Sequence, residues 1–128
     1  MSKPIATCIN CGKQHSYHYA NTGKFCDHKC QGEYRTKQTY ERFLEGRVRE
    51  RNTIRRILKR LKDECWQCSI KEWRGHKLSL EIDHINGDAG NNMPSNLRLV
   101  CPNCHSITST WKGRNRHKGR ASRGLPTN

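Results

Sequence analysis

Cysteine spacing constrains this chain more than any other feature of its sequence. Eight cysteines fall into four close pairs, Cys8/Cys11, Cys26/Cys30, Cys65/Cys68 and Cys101/Cys104. Pairs two or three residues apart supply two ligands each to a tetrahedral ion. Four pairs therefore predict two all-cysteine sites. Only 32% of the 128 residues are hydrophobic, against about 45–50% in an ordinary domain. A core that poor needs staples. The rival reading of such spacing is a secreted disulfide scaffold. Residues 1–7 hold no apolar run fit for a signal peptide, and no segment approaches the ~18 apolar residues of a membrane span. The expectation is a reduced, cytoplasmic protein with structural zinc.

Charge points to the partner. Lys and Arg number 25 against 11 Asp and Glu, a net charge of +14. Such an excess predicts a polyanionic partner, nucleic acid before a membrane surface. No carboxylate side chain follows Asp88, so any carboxylate that does chemistry lies at or before it.

The organisation follows from these signals. Residues 1–32 read as a zinc-ribbon or treble-clef-like knuckle, with Cys8, Cys11, Cys26 and Cys30 as ligands. His15, His18 and His28 are alternative ligands or, more simply, surface histidines. A hairpin turning at Asn21-Thr22-Gly23 is expected between the pairs. Residues 33–63 carry apolar positions at helical spacing. They read as two basic helices jointed near 46–52, with Asn52-Thr53 as a cap. Eleven Lys/Arg and three Glu lie between Tyr34 and Lys62, too one-sided for internal ion pairs to absorb. Arg51, Arg55, Arg56, Lys59 and Arg60 are the expected phosphate contacts there. Residues 64–115 form a third unit, and 116–128 a flexible tail. Lys112, Arg114 and Arg116 extend the basic surface.

The third unit carries the chemistry. Residues 78–85 predict a strand, 86–95 a Gly/Asn-rich loop, and 97–100 a second strand. Pro102 opens a helix expected to reach residue 111 or 112. Cys65, Cys68, Cys101 and Cys104 make a closed sulfur site, so zinc there is scaffold and not catalyst. Asp83 and His84 end the first strand, and His105 follows the last cysteine directly. A neutral His84 imidazole suits removal of a proton from water. Asp83 and His105 offer one hard oxygen and one nitrogen to a catalytic Mg2+ or Mn2+. Glu81 shares strand parity with Asp83 and reads either as a support behind the metal ligands or, more simply, as a solvent-facing strand residue. Trp66 and Trp73 read as covers for the small core, and Trp111 as a base-stacking candidate.

The order Asp83-His84, Asn96, His105 resembles the HNH endonuclease family, also called ββα-metal or His-Me finger. The resemblance implies an α+β fold: a small zinc-stapled ββα-metal unit, preceded here by the basic helices and the knuckle. It implies that Asn96, nine residues before His105, braces the loop that holds the general base, with Asn91 and Asn92 as competitors for that part. It implies a metal-dependent DNA endonuclease leaving 5′-phosphate and 3′-hydroxyl ends, of a kind common in phages. Some relatives place a third metal ligand one turn after the second histidine, where this chain has Ser109. The rivals are a non-catalytic zinc-finger nucleic-acid binder and a nuclease subunit that needs a partner, such as a phage DNA-packaging machine.

Overall fold

The computed structural model describes residues 2–18 and 22–111. The fold is small, mixed α and β, with short two-stranded sheets. Two compact units separate between Glu41 and Arg42. Lys112, Arg114 and Arg116 lie outside the described residues, as does Asn21 of the expected turn.

In the first unit, β1 (Ile5–Thr7) pairs antiparallel with β2 (Gln14–Ser16). The hairpin turns through the Cys8–Cys11 knuckle itself, where Gly12 N donates to Cys8 O and Cys8 N to Lys13 O, both at 2.9 Å. This corrects the expected hairpin between the two pairs: residues 14–16 are already paired backwards onto 5–7. Helix α1 (His28–Leu44) starts beside the second pair. Asp27 Oδ1 accepts from Cys30 N at 2.7 Å, satisfying one of the open amides of the first turn. That cap places Cys30 at the cluster.

In the second unit, α1 ends in a Schellman turn, with Gly46 N on Phe43 O and Arg47 N on Arg42 O. Gly46 has φ +69°, and a Cβ there would stand 2.7 Å from Met93 Sδ. Only glycine suits both demands. Helix α2 (Arg51–Leu61) begins after Glu50 with no side-chain cap, so Asn52 and Thr53 lie inside the helix and not at its start. Its buried Ile54, Ile57 and Leu58 pack on β5 (Glu81–His84) and β6 (Leu97–Val100). Those two strands pair antiparallel, Asp83 opposite Arg98 and His84 opposite Leu97. The core gathers Phe43, Val48, Ile82, Leu97, Leu99 and Val100 around the α2 residues. A small hairpin, β3 (Glu72–Trp73) and β4 (His76–Lys77), precedes β5. The last helix, α3 (Pro102–Ser106), is shorter than expected and gives way to turns over 107–111. Thr108 Oγ1 takes the His105 carbonyl at 2.9 Å, which diverts an acceptor the helix would need to continue.

Each cysteine quartet is assembled. The four ligand atoms of Cys8, Cys11, Cys26 and Cys30 lie within 4.8 Å of one another, as do those of Cys65, Cys68, Cys101 and Cys104. Both clusters are complete without a histidine. The Cys11–Cys26 and Cys68–Cys101 sulfurs are 3.7 and 3.8 Å apart. That is far beyond a disulfide bond. It equals the edge, about 3.8 Å, of a tetrahedron whose metal–sulfur bonds are ~2.3 Å. The thiols are also polarised unequally. Burial raises Cys8 and Cys65, but backbone hydrogen bonds, from Cys11, Cys26 and Asn10 in one case and Cys68, Cys101 and Gln67 in the other, bring each down to about 6. Cys26 is pushed up to about 12, first by its bond with the Cys30 thiol, and Cys104 to about 12, first by burial. A cation bound by all four sulfurs would displace the protons still held and share the thiolate charge. Both quartets therefore fit a zinc-like ion.

Metal analysis of the purified protein should return two zinc ions per chain, one for each quartet. Cys101→Ser should unfold the second unit, because structural zinc binding is worth ~10–16 kcal/mol in small zinc peptides. Cys8→Ser should leave that unit folded, as read by chemical-shift dispersion of its core methyls. Equal loss of the unit with either substitution would contradict this division of labour.

Candidate active site

The site stands at the end of β5, where the strand meets the Asn/Gly-rich loop. Strand alternation sends Glu81 and Asp83 to one face and Ile82 and His84 to the other. Asp83 is only 2% exposed. Its Oδ2 accepts from Arg98 Nε at 2.6 Å. A buried carboxylate needs such a cation, since isolated charge is costly away from water. Arg98 Cζ lies 5.6 Å from the centre of the Trp66 ring, and Lys62 Nζ lies 5.9 Å from it. Trp66 is 55% exposed and Trp73 57% exposed. This corrects their reading as core covers: Trp66 is a platform for cations.

Asp83 Oδ1 remains, and it faces His105 Nε2 at 3.6 Å. The other ring nitrogen, Nδ1, donates to Glu81 Oε2 at 2.5 Å. A carboxylate only accepts, so Nδ1 carries the proton of the neutral ring. Nε2 then presents a lone pair toward a carboxylate oxygen. Two lone pairs so placed repel unless a cation lies between them. Donors each about 2.0–2.2 Å from one ion stand roughly 3–4 Å apart, and 3.6 Å falls within that interval. A carboxylate behind the histidine is also the usual outer support of a metal-binding imidazole. Asp83 and His105 fit a divalent cation. Glu81 is half-buried and engaged with the ring, which corrects its reading as a solvent-facing residue. Trp111 closes the other side of His105 edge-on, ring centres 4.6 Å apart. Ser109 is exposed in the turn after α3.

His84 belongs to a second hydrogen-bonded group. Its Nε2 meets Asn92 Oδ1 at 2.9 Å, while Asn92 Nδ2 donates to Val48 O at 3.0 Å. Asn96 braces the loop between. Its Oδ1 accepts from Asn86 N at 3.0 Å, its Nδ2 donates to Asn91 O at 2.9 Å, and its own carbonyl accepts from Ile85 N at 2.9 Å. Asn86, Asp88 and Asn91 each turn the chain by accepting from the amide two residues on. The two groups, Asp83–Arg98–His105–Glu81 and His84–Asn92, meet at the Asp83–His84 peptide.

Three contributors escape a reading of the sequence: Glu81, Arg98 and Asn92. Arg98 is within reach of one, since pairing the two expected strands sets an opposite charge across from Asp83. Glu81 shares the right parity, but nothing in the sequence aims it at His105. The cations Arg51, Arg55, Arg56, Lys59 and Arg60 lie on α2. Arg51, Arg56 and Arg60 are exposed, Arg55 and Lys59 half-buried. Among the described residues no carboxylate forms an ion pair with Arg51, Arg55, Arg56 or Arg60. No described helix is long and apolar enough to cross a membrane.

Comparison with known proteins falls on the same segment. Residues 78–106, which hold β5, the loop, β6 and α3, match the family model of HNH endonucleases. The H-N-H endonuclease F-TflIV of Escherichia phage T5 is 40% identical over 52 residues, 41% of this chain and 23% of that protein. The chain thus spans about a quarter of the length of the curated relative it matches. No solved structure matches. Through the ββα unit that holds Asp83, His84, Asn96 and His105, this segment of the chain is similar to HNH endonucleases.

Proposed function

We propose that this protein is a metal-dependent DNA endonuclease that hydrolyses phosphodiester bonds to 5′-phosphate and 3′-hydroxyl ends. The observation that carries the reading is the pair of opposed lone-pair donors, Asp83 Oδ1 and His105 Nε2, 3.6 Å apart beside His84. Hydrolysis of a phosphodiester asks for a base to deprotonate water and for positive charge at the phosphate. His84, fixed by one ring nitrogen, is the base. Asp83 and His105 would hold Mg2+ or Mn2+, which when bound supplies Lewis-acid stabilisation of the phosphate and leaving oxygens. Arg98 compensates Asp83 from the side away from that pair and keeps Oδ1 available. Glu81 orients the His105 ring. Asn96 holds the loop closed on itself, so His84 and Asp83 stay at one strand end. The zinc ions in the two quartets are structural in this account.

Binding is separate from cutting. Arg51, Arg55, Arg56, Lys59 and Arg60 repeat along α2 and form the proposed phosphate-binding face. Association with duplex DNA is then salt-sensitive and weakly dependent on sequence.

His84→Ala should cut DNA about 10²–10⁴-fold more slowly, while fold, zinc content and DNA affinity stay at wild-type values. A His84→Ala protein that cuts as fast as wild type would remove the catalytic assignment and favour a binding module. The double change Arg55→Ala with Arg56→Ala should flatten the dependence of log affinity on log salt, by roughly 0.9 for each phosphate left without its cation. An unchanged slope in fluorescence-anisotropy titrations would place the DNA surface elsewhere.

A further inference from the structure

Asn92 does more than fill the loop. It is 8% exposed, and both ends of its amide are engaged on groups far apart in sequence. Nδ2 donates to the Val48 carbonyl at 3.0 Å, and Oδ1 faces His84 Nε2 at 2.9 Å. A backbone carbonyl only accepts. The reverse orientation of the amide would set two oxygens against each other at Val48. Val48 is itself buried in the core, so this end of the amide has a fixed reference point. The opposite end is therefore an acceptor, and the imidazole nitrogen that meets it must carry a proton.

We propose that Asn92 is a positioning residue that locks His84 as the Nε2–H tautomer, leaving Nδ1 as the atom that takes the proton from the attacking water. The proposal rests on the reading of His84 as the general base. Asn92 touches no reacting atom. It acts through His84 in two ways: it restrains rotation of the ring, and it keeps the lone pair on one defined nitrogen. During the reaction the water proton passes to Nδ1 while the water oxygen bonds to phosphorus. The bond from phosphorus to the leaving oxygen breaks, and that oxygen takes a proton from solvent. The Asn92 carbonyl oxygen stays on Nε2–H throughout and stabilises the imidazolium that forms. The anchor lies in the segment joining α1 to α2, 44 residues from Asn92. The geometry of the base thus depends on a part of the chain outside the motif.

Nitrogen-15 NMR of the histidine rings reads the tautomer directly, on the whole zinc-loaded protein and without reference to cleavage. The wild type should show a His84 ring protonated at Nε2, with a ring proton slow to exchange with water. In Asn92→Ala that proton should exchange rapidly and its signal should be lost. Cleavage by Asn92→Ala should fall about tenfold or more in kcat, with KM for DNA unchanged. A wild-type His84 ring protonated at Nδ1, or a protected Nε2 proton that survives in Asn92→Ala, would overturn the proposal. Should Asn92→Ala fail to fold, the wild-type spectrum still decides the tautomer. If His84→Ala proves as active as wild type while the NMR result is as expected, the base assignment fails and the hydrogen-bond lock does not.

Discussion

The position of His105 depends on sulfur. Helix α3 spans five residues, Pro102–Ser106, far fewer than the ~12–15 that give a free helix even marginal stability. What holds it is the Cys65/Cys68/Cys101/Cys104 cluster. Cys101 follows β6 and its Sγ accepts from Cys104 N at 3.4 Å. Trp66 N, inside the other pair, donates to Leu99 O at 2.8 Å. The clamp therefore ties the knuckle at 65–68 to β6 and to the start of α3 together. In this arrangement His105, directly after Cys104, faces Glu81 and Asp83 on β5. The hydrophobic core alone, built from α2 and two four-residue strands, would not fix a one-turn helix to this accuracy.

Inside that frame, charge is arranged so that one carboxylate oxygen stays free. Asp83 is buried, which would be costly for an unpaired anion. Arg98 occupies only Oδ2. Glu81 occupies only the Nδ1 side of His105. The two atoms left over face each other at 3.6 Å, a separation that fits a divalent cation between them. On the far side of the same strand end, His84 is held through Asn92 by a core carbonyl. His84 and the Asp83–His105 pair are thus fixed by different supports, one from the α1–α2 joint and one from the cysteine cluster. This separation explains how a loop rich in Gly and Asn can carry a precise site: Asn96 closes the loop on its own backbone, and the reactive groups hang from its two ends.

Much of this is legible in the sequence because it rests on local signals. Paired cysteines announce their clusters. A period of 3.6 announces α2, and apolar or β-branched runs bounded by turn-formers announce the two strands. The mixed α and β fold with two cysteine quartets follows from those signals alone. What is not legible depends on contacts between distant segments. The N-terminal hairpin uses the knuckle as its own turn, so strands of three residues suffice and leave no long alternating pattern. Trp66 looks like core from its composition but rests beside Arg98 and Lys62, which come from two other segments. Glu81 looks like a surface residue until α3 delivers His105 above it. Spacing from His105 already singles out Asn96, which bonds across the loop, but that Asn92 reaches Val48 and His84 needs the fold.

The claim that stands over all the others is that this ββα unit hydrolyses DNA with a divalent cation. Incubation of supercoiled plasmid with the purified, zinc-loaded protein tests it most directly, with Mg2+ or Mn2+ in one series and EDTA in the other. The account predicts conversion to nicked or linear plasmid with the added cation and none with EDTA. Plasmid that stays supercoiled with either cation, under conditions where the same protein demonstrably binds it, would contradict the account and leave a zinc-stapled DNA-binding protein.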